Sequence, residues 1–185
     1  EWQGNATSPT VNQIVDYCQS SLVFIHAAAG YGKTTLMHQL SESLLAKGKK
    51  VCWLTLDDDE NDPIRLYQYL RLAFLDLEPP HSISYGQIHK QHIIELTQKV
   101  AEEDADTVLF IDEFEALTNP ECLNIFWWLY QSLPENCHLL IASRVKPNRS
   151  FAKDYLLGRL KWFTESQLSI NQQESSALIQ FLQLH

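Results

Sequence analysis

The chain has 185 residues, of which 45% are hydrophobic and 20% are charged, and this composition is typical of a globular domain rather than of a disordered or fibrous protein. Its length suits one domain with a buried core. The formal net charge of −9 disfavours direct binding to the phosphates of a nucleic acid, because such binding requires a basic surface.

Signals for export or for membrane insertion are not found in the sequence. It shows no signal peptide and no apolar run of membrane-spanning length, and its four cysteines form no C-x-x-C pair. We therefore expect a cytoplasmic protein that does not bind membranes. The first nine residues, Glu1 to Pro9, are polar and aperiodic, which is typical of a disordered start or of a remnant added in cloning.

The first elements in chain order alternate between helix and strand. Apolar residues recur on one side of a short predicted helix over 10–20, and the apolar run SLVFIHA (21–27) is typical of a strand buried on both faces. A helix is predicted from about Lys33 to Ala46, and Gly48 favours its end. The run KVCWLTL (50–56) predicts a second buried strand, followed by an acidic turn.

The remainder of the chain continues this alternation. Helices are predicted to begin at Pro63, at about Tyr85 and at Asn119-Pro120, where a proline suits the first turn. The runs DTVLFID (106–112) and CHLLIAS (137–143) predict the third and fourth strands, and a fifth is expected within KWFTESQLSI (161–170). FAKDYLLGRL (151–160) is weakly helical, and a last helix is predicted from Asn171.

This order of elements predicts the α/β class, with a mainly parallel five-stranded sheet between two layers of helices. Parallel sheets of this kind bind ligands at the carboxyl ends of their strands. The motifs described next all lie at those ends, so we expect them to form one site.

The segment HAAAGYGKTTL (26–36) nearly matches the phosphate-binding pattern G-x-x-x-x-G-K-[ST], with Ala27 in place of the first glycine. Ala27 is expected to end the strand with a negative φ, which alanine tolerates, so we interpret the substitution as mild. The glycines allow successive amides to turn towards phosphate, and the following helix adds positive charge at its N-terminus. Lys33 is expected to reach the β- and γ-phosphates, Thr34 to bind Mg²⁺ and Thr35 to contact the α-phosphate. The predicted nucleotide-binding residues are Ala29, Gly30, Tyr31, Gly32, Lys33, Thr34 and Thr35.

Two further strand ends carry candidate residues. In TVLFIDEF (107–114), Asp112 is expected beside the loop on an adjacent strand, where it would accept a hydrogen bond from a water molecule bound to Mg²⁺. Glu113 is a candidate general base. In LLIASR (139–144), Arg144 can point at the γ-phosphate and so sense and stabilise it. The alternatives are an ordinary acid at a strand end and a solvated arginine.

The acidic run from Asp57 to Asp62 allows two interpretations. It is a solvated turn in which Asp62 caps the helix that begins at Pro63, or one of its acids reaches the metal or the attacking water. Carboxylates close to a triphosphate repel it unless a metal ion lies between them, which favours the solvated turn.

Four segments together resemble a known family: AAAGYGKTTL, VCWLTLDDDENDPIRLYQYL, TVLFIDEFEALTNPE and LPENCHLLIASR. They are similar, from about residue 10 to the end, to the nucleotide-binding domain of the large ATP-dependent LuxR-type transcriptional activators, the MalT-like branch of the STAND signalling ATPases. The resemblance implies a P-loop NTPase fold over 10–185, excised from a longer regulator. It also implies matching roles for Lys33 and Thr34 at the phosphates, Asp112 at the metal and Arg144 as sensor.

What the resemblance implies for function is a switch. An inducer bound elsewhere allows ADP to be exchanged for ATP, the full-length protein self-associates, and a missing C-terminal helix-turn-helix binds DNA. Hydrolysis then resets the protein. Family second motifs often read D-D, whereas this chain has Asp112-Glu113, so the resemblance by itself assigns no role to Glu113.

The sequence therefore predicts an ATP- and ADP-binding switch domain with slow, Mg²⁺-dependent hydrolysis. An active ATPase or small-molecule kinase is one alternative, and a nucleotide-binding scaffold without hydrolysis is another. A GTPase is disfavoured because no N-K-x-D motif is present, and a transporter-type ATPase because no L-S-G-G-Q is present.

Overall fold

A computed structural model describes residue 14, residues 22–76, 87–147 and 151–166, and residue 168. Its strands are β1 (Leu22–His26), β2 (Lys50–Thr55), β3 (Thr107–Asp112), β4 (Cys137–Ser143) and β5 (Leu160–Thr164). Its helices are α1 (Lys33–Ala46), α2 (Pro63–Leu75), α3 (Lys90–Ala101), α4 (Pro120–Ser132) and α5 (Ala152–Leu156). Short 3₁₀ turns lie at Asp58–Asn61 and Phe114–Ala116.

The strands in the described ranges form one five-stranded sheet in the order β2-β3-β4-β1-β5, and every neighbouring pair is parallel. Successive side chains of a strand point to opposite faces, and both faces of this sheet are covered. Leu22 and Phe24 of β1 join a core with α2, α3 and α4, whereas Val23 and Ile25 join a second core with α1. The predicted three-layer α/β fold is thereby confirmed.

The strand order corrects one expectation. Asp112 was expected beside the loop on an adjacent strand. It lies beside the loop, but β4 lies between β1 and β3, so the expected adjacency of the two strands is wrong. The order of the strands in the sequence does not determine their order in the sheet, because each parallel connection crosses over a face of the sheet. As a result the end of β4, with Ser143 and Arg144, lies between the loop after β1 and the acid that ends β3.

Helix starts follow local chemistry. At α2, the Asp62 carboxylate accepts hydrogen bonds from the backbone N–H groups of Ile64 and Arg65, and Pro63 occupies the first turn. Asn119 caps α4 in the same way. Predictions for 1–9, for the helix over 10–20, for the break at 78–86 and for the helix from Asn171 fall outside the described residues, except that Ile14 is helical and buried.

The three described cysteines are small core residues. Burial raises the pKa of Cys52 and Cys122 to about 11 and that of Cys137 to about 12, so these thiols are essentially protonated and unreactive at neutral pH. Across the described part of the chain, no helix combines the length and the apolar character of a membrane span.

Candidate functional site

The loop between β1 and α1 has the backbone of a phosphate-binding loop. Gly30 and Gly32 have φ values of 83° and 73°, a left-handed conformation that costs glycine little and other residues more. A Cβ at Gly30 would meet no atom within 4 Å, so the requirement for glycine comes from the backbone angle and not from crowding. The loop leads directly into the N-terminus of α1, whose backbone N–H groups face the same space.

Ala27 fits its position without strain. Strand β1 ends one residue earlier than expected, at His26, and the buried Ala27 donates its backbone N–H to the carbonyl of Ser143 at 3.3 Å. Among the described non-glycine residues, positive φ occurs only at Asp76 and Glu113. The replacement of the usual first glycine therefore leaves the loop geometry intact, as predicted.

Lys33 lies beneath the loop with its ammonium group already positioned. The side chain is buried, and Nζ donates to the carbonyl oxygens of Ala27 at 2.7 Å and Ala28 at 2.9 Å. An ammonium group has three N–H bonds, so acceptors from the described residues account for two of them. The positive charge is thus held where an anion on the loop would meet it.

The remaining predicted loop residues differ in burial. Ala29 is exposed in the loop, Tyr31 packs against the core on the α1 side, and Thr35 is exposed in the first turn of α1. Their backbone positions agree with a phosphate-binding loop, and their individual roles stay predictions.

Thr34, in the first turn of α1, contacts Asp112 at the end of β3, although β3 is not a neighbour of β1 in the sheet. Thr34 Oγ1 donates to Asp112 Oδ2 at 2.8 Å, and Asp112 Oδ1 accepts the backbone N–H of Glu113 at 2.9 Å. Asp112 is buried, so its carboxylate is held in one orientation. A hydroxyl and a carboxylate at this distance are the hard oxygen donors that Mg²⁺ prefers, and the pair fits that ion.

The two predicted catalytic residues pair with each other. Arg144 Nη2 donates to Glu113 Oε1 at 2.8 Å and to Glu113 Oε2 at 2.7 Å. Glu113 is in a left-handed conformation (φ 55°, ψ 41°), which turns its side chain at the sharp end of β3. The hydrogen bond from Arg144 to Glu113 and the carboxylate charge raise the pKa of Arg144 above its usual value, so this guanidinium stays charged. The sequence predicted both residues at the site but not their pairing.

Glu115 is a site residue that sequence reasoning missed. Its Oε2 accepts hydrogen bonds from Ser143 Oγ and from the backbone N–H of Arg144, both at 3.0 Å, while its Oε1 lies 3.1 Å from Arg144 Nε. Burial raises the pKa of Glu115, but hydrogen bonds from Arg144 and its other neighbours outweigh burial and leave the pKa below its usual value. No periodicity or spacing points to this residue, because its partners lie on another strand.

Asn61 is the second missed residue, and it joins two loops. Its Oδ1 accepts the backbone N–H groups of Thr118 at 2.8 Å and Asn119 at 3.0 Å, and its Nδ2 donates to the carbonyl of Ala116. Asn119 Nδ2 returns a bond of 2.8 Å to the Asn61 carbonyl. The turn after β2 is thereby fixed to the segment that follows Glu115.

The rest of the acidic run agrees with the solvated turn. Asp62 caps α2, and the exposed Asp59 pairs with Arg65 at 2.9 Å. The alternative, in which one of these acids reaches a metal or a water, stays open.

Removing the Asn61 side chain should destabilise the domain. In Asn61→Ala, the amides of Thr118 and Asn119 lose their acceptor, and we expect the free energy of unfolding to fall by about 1–3 kcal/mol. Urea denaturation followed by circular dichroism measures this change. Asn124→Ala, at an exposed position of α4, is the matched control. Equal midpoints for Asn61→Ala and the control would show that the bridge contributes nothing to stability.

Comparison with known proteins places this geometry in a family. Residues 18–142, which are more than half of the chain, match the family model described as an AAA domain. The chain belongs to the AAA domain family. The prediction that the chain is a P-loop ATPase domain is thus confirmed.

Two sequence relatives are much longer than this AAA domain. It is 28% identical over 162 residues to the HTH-type transcriptional regulator MalT of Yersinia enterocolitica, a match that covers 83% of this chain and 18% of that protein. It is 23% identical over 166 residues to the serine/threonine-protein kinase PknK of Mycobacterium tuberculosis, covering 85% of this chain and 15% of the kinase. The predicted resemblance to MalT-like proteins is confirmed.

A solved structure supports the fold alone. The Aeropyrum pernix ORC1 protein in complex with DNA superimposes on this AAA domain with a TM-score of 0.57 at 12% identity, covering 84% of this chain and 44% of that one. At this identity the match shows a shared arrangement of strands and helices and nothing about ligands.

Proposed function

We propose that this AAA domain binds ATP and ADP with Mg²⁺ and is the nucleotide-dependent switch of a larger transcriptional regulator, with slow hydrolysis of ATP. The observation that carries the proposal is the contact of 2.8 Å between Thr34 Oγ1 and Asp112 Oδ2, directly behind the glycine-rich loop and the Lys33 ammonium group. This contact places two oxygen ligands for a divalent cation next to a loop that can bind a polyanion, at one edge of the sheet.

Each residue then has a role that follows from its position. The loop amides and Lys33 bind the phosphates, Thr34 and Asp112 hold the metal, and Thr35 contacts the α-phosphate. Mg²⁺ held there would neutralise part of the negative charge of the phosphates. The end of β4 borders the loop, so Arg144 is the residue best placed to read the terminal phosphate.

The pair formed by Glu113 and Arg144 supports slow hydrolysis. A general base must approach the water that it deprotonates, and both oxygens of Glu113 are engaged by Arg144 Nη2. The γ-phosphate of bound ATP competes with Glu113 for this guanidinium, so the carboxylate is free to act as a base only while Arg144 contacts the phosphate, and hydrolysis is slow. ADP lacks that group and leaves the pair closed, which makes Arg144 a discriminator between the two nucleotides.

The regulatory context is proposed from the similarity to MalT, of which this chain spans 18%. Residues 10–185 would form the nucleotide-binding domain of a longer cytoplasmic protein, and residues 1–9 would not belong to this domain. Self-association and DNA binding would require other parts of that protein, and the net charge of −9 agrees with a domain that does not itself bind DNA.

Calorimetric titration with ATP and ADP, each with and without Mg²⁺, tests the proposal together with a phosphate-release assay. We expect both nucleotides to bind, ATP to depend more strongly on Mg²⁺, and turnover to stay well below the typical enzyme value of about 10 per second. Failure of both nucleotides to bind would refute the proposal. Fast turnover or transfer of phosphate to an acceptor would select an active ATPase or kinase, and binding without phosphate release would select a scaffold.

A further inference from the structure

A carboxylate lies against the phosphate-binding loop on the side away from the metal pair. Strand β5 pairs with β1 so that Thr164 is level with His26, and Glu165 therefore emerges beside the start of the loop. Glu165 Oε1 accepts the backbone N–H of Ala28 at 2.8 Å. The side chain is half-buried, and none of the roles assigned above uses it.

The strand order sets the direction of a nucleotide on this loop. Arg144 at the end of β4 and Asp112 at the end of β3 lie on one side of β1, and β5 with Glu165 lies on the other. A triphosphate whose terminal group meets Arg144 and the pair Thr34–Asp112 must direct its nucleoside end away from β3 and β4. Glu165 is then on the nucleoside side of the loop.

The chemistry of Glu165 suits a neutral donor and not a phosphate. A carboxylate near a polyphosphate repels it, whereas its oxygens accept hydrogen bonds from neutral donors, as Glu165 does from the Ala28 amide. Ribose carries two adjacent hydroxyl donors, and it is the part of a nucleotide next to the phosphates. A residue bonded to the loop itself is therefore close to the ribose rather than to the more distant base.

We propose that Glu165 accepts hydrogen bonds from the ribose hydroxyls and makes the site selective for ribonucleotides. The inference rests on the proposed function, since it requires a nucleotide on the loop. Glu165 would bind ribose as carboxylates do at other nucleotide sites, but from the end of β5.

Affinities of ATP, 2′-deoxy-ATP, GTP and inorganic tripolyphosphate for the intact chain and for Glu165→Ala test the inference. We expect the intact chain to bind ATP about 10-fold more tightly than 2′-deoxy-ATP, the effect of one hydrogen bond to a charged acceptor. Glu165→Ala should lose this preference, weaken ATP and GTP by the same factor, and bind tripolyphosphate as tightly as before or more tightly. Glu135→Ala, at an exposed acid between α4 and β4, should change none of these values.

The outcomes separate this inference from the proposed function. If the intact chain binds none of the ligands, the proposed function itself fails. If it binds ATP but Glu165→Ala keeps the preference for ribose, or weakens ATP alone and not GTP, the assignment of Glu165 to ribose is wrong. Should Glu165→Ala not fold, Glu165→Gln replaces it: this variant loses the charge and one acceptor oxygen, and we expect the preference to fall at least about threefold. An unchanged preference in Glu165→Gln would overturn the inference.

Discussion

Replacing Lys33 by alanine is expected to lower the affinity for ATP by about 100-fold or more. The buried ammonium group is the one positive charge held under the loop by the Ala27 and Ala28 carbonyls, and charge-assisted hydrogen bonds to phosphate are among the strongest that a side chain makes. A 100-fold change corresponds to about 2.7 kcal/mol, within reach of such bonds. Calorimetric titration with ATP and Mg²⁺ measures the effect.

The matched control for this variant is Lys99→Ala, which removes a lysine from an exposed position of α3 and leaves the net charge equal to that of Lys33→Ala. Equal losses of affinity in the two variants would mean that the overall charge of the domain, and not the loop, determines binding. Unchanged affinity in Lys33→Ala would remove the basis for any nucleotide at this edge of the sheet.

Glu113→Gln is expected to lower the rate of ATP hydrolysis by about 100-fold while leaving ATP bound, because a glutamine side chain cannot take a proton from water. The variant has the same shape as the original residue and keeps an oxygen that can accept from Arg144. Single-turnover hydrolysis measured by phosphate release gives the rate, and titration gives the affinity.

Glu102→Gln serves as the control, since Glu102 is exposed at the end of α3. A rate in Glu113→Gln equal to that of the control would exclude Glu113 as the base and would leave its bond to Arg144 as its only role. A strong loss of ATP affinity, in contrast, would indicate that Glu113 acts in binding and not in proton transfer.

Local features of the fold were predictable from the sequence. The strand with Phe24 on one face and Ile25 on the other reads as a continuous apolar run, and such runs indicate strands buried on both sides. The cap formed by Asp62 and Pro63 and the loop from Ala27 to Thr34 depend on neighbouring residues alone, so their patterns are visible in the chain. These features placed the site at one edge of a parallel sheet.

Contacts between distant segments were not predictable in the same way. The insertion of β4 between β1 and β3 depends on how the crossovers pack, and it decides that Arg144 lies close enough to bind Glu113. Glu115 and Asn61 make their hydrogen bonds to residues far along the chain, as does Glu165 to Ala28. A single polar residue belongs to no periodic sequence pattern from which its hydrogen-bond partner could be predicted.

The Asn61 bridge has a mechanical consequence. Because one amide side chain serves both the turn before α2 and the segment after Glu115, these two loops form a single stiff unit. The start of α2 and the segment that leads back to the bend at Glu113, which is bonded to Arg144, are therefore joined by hydrogen bonds and not by the chain alone. We expect a partner that displaces α2 to displace this bend with it.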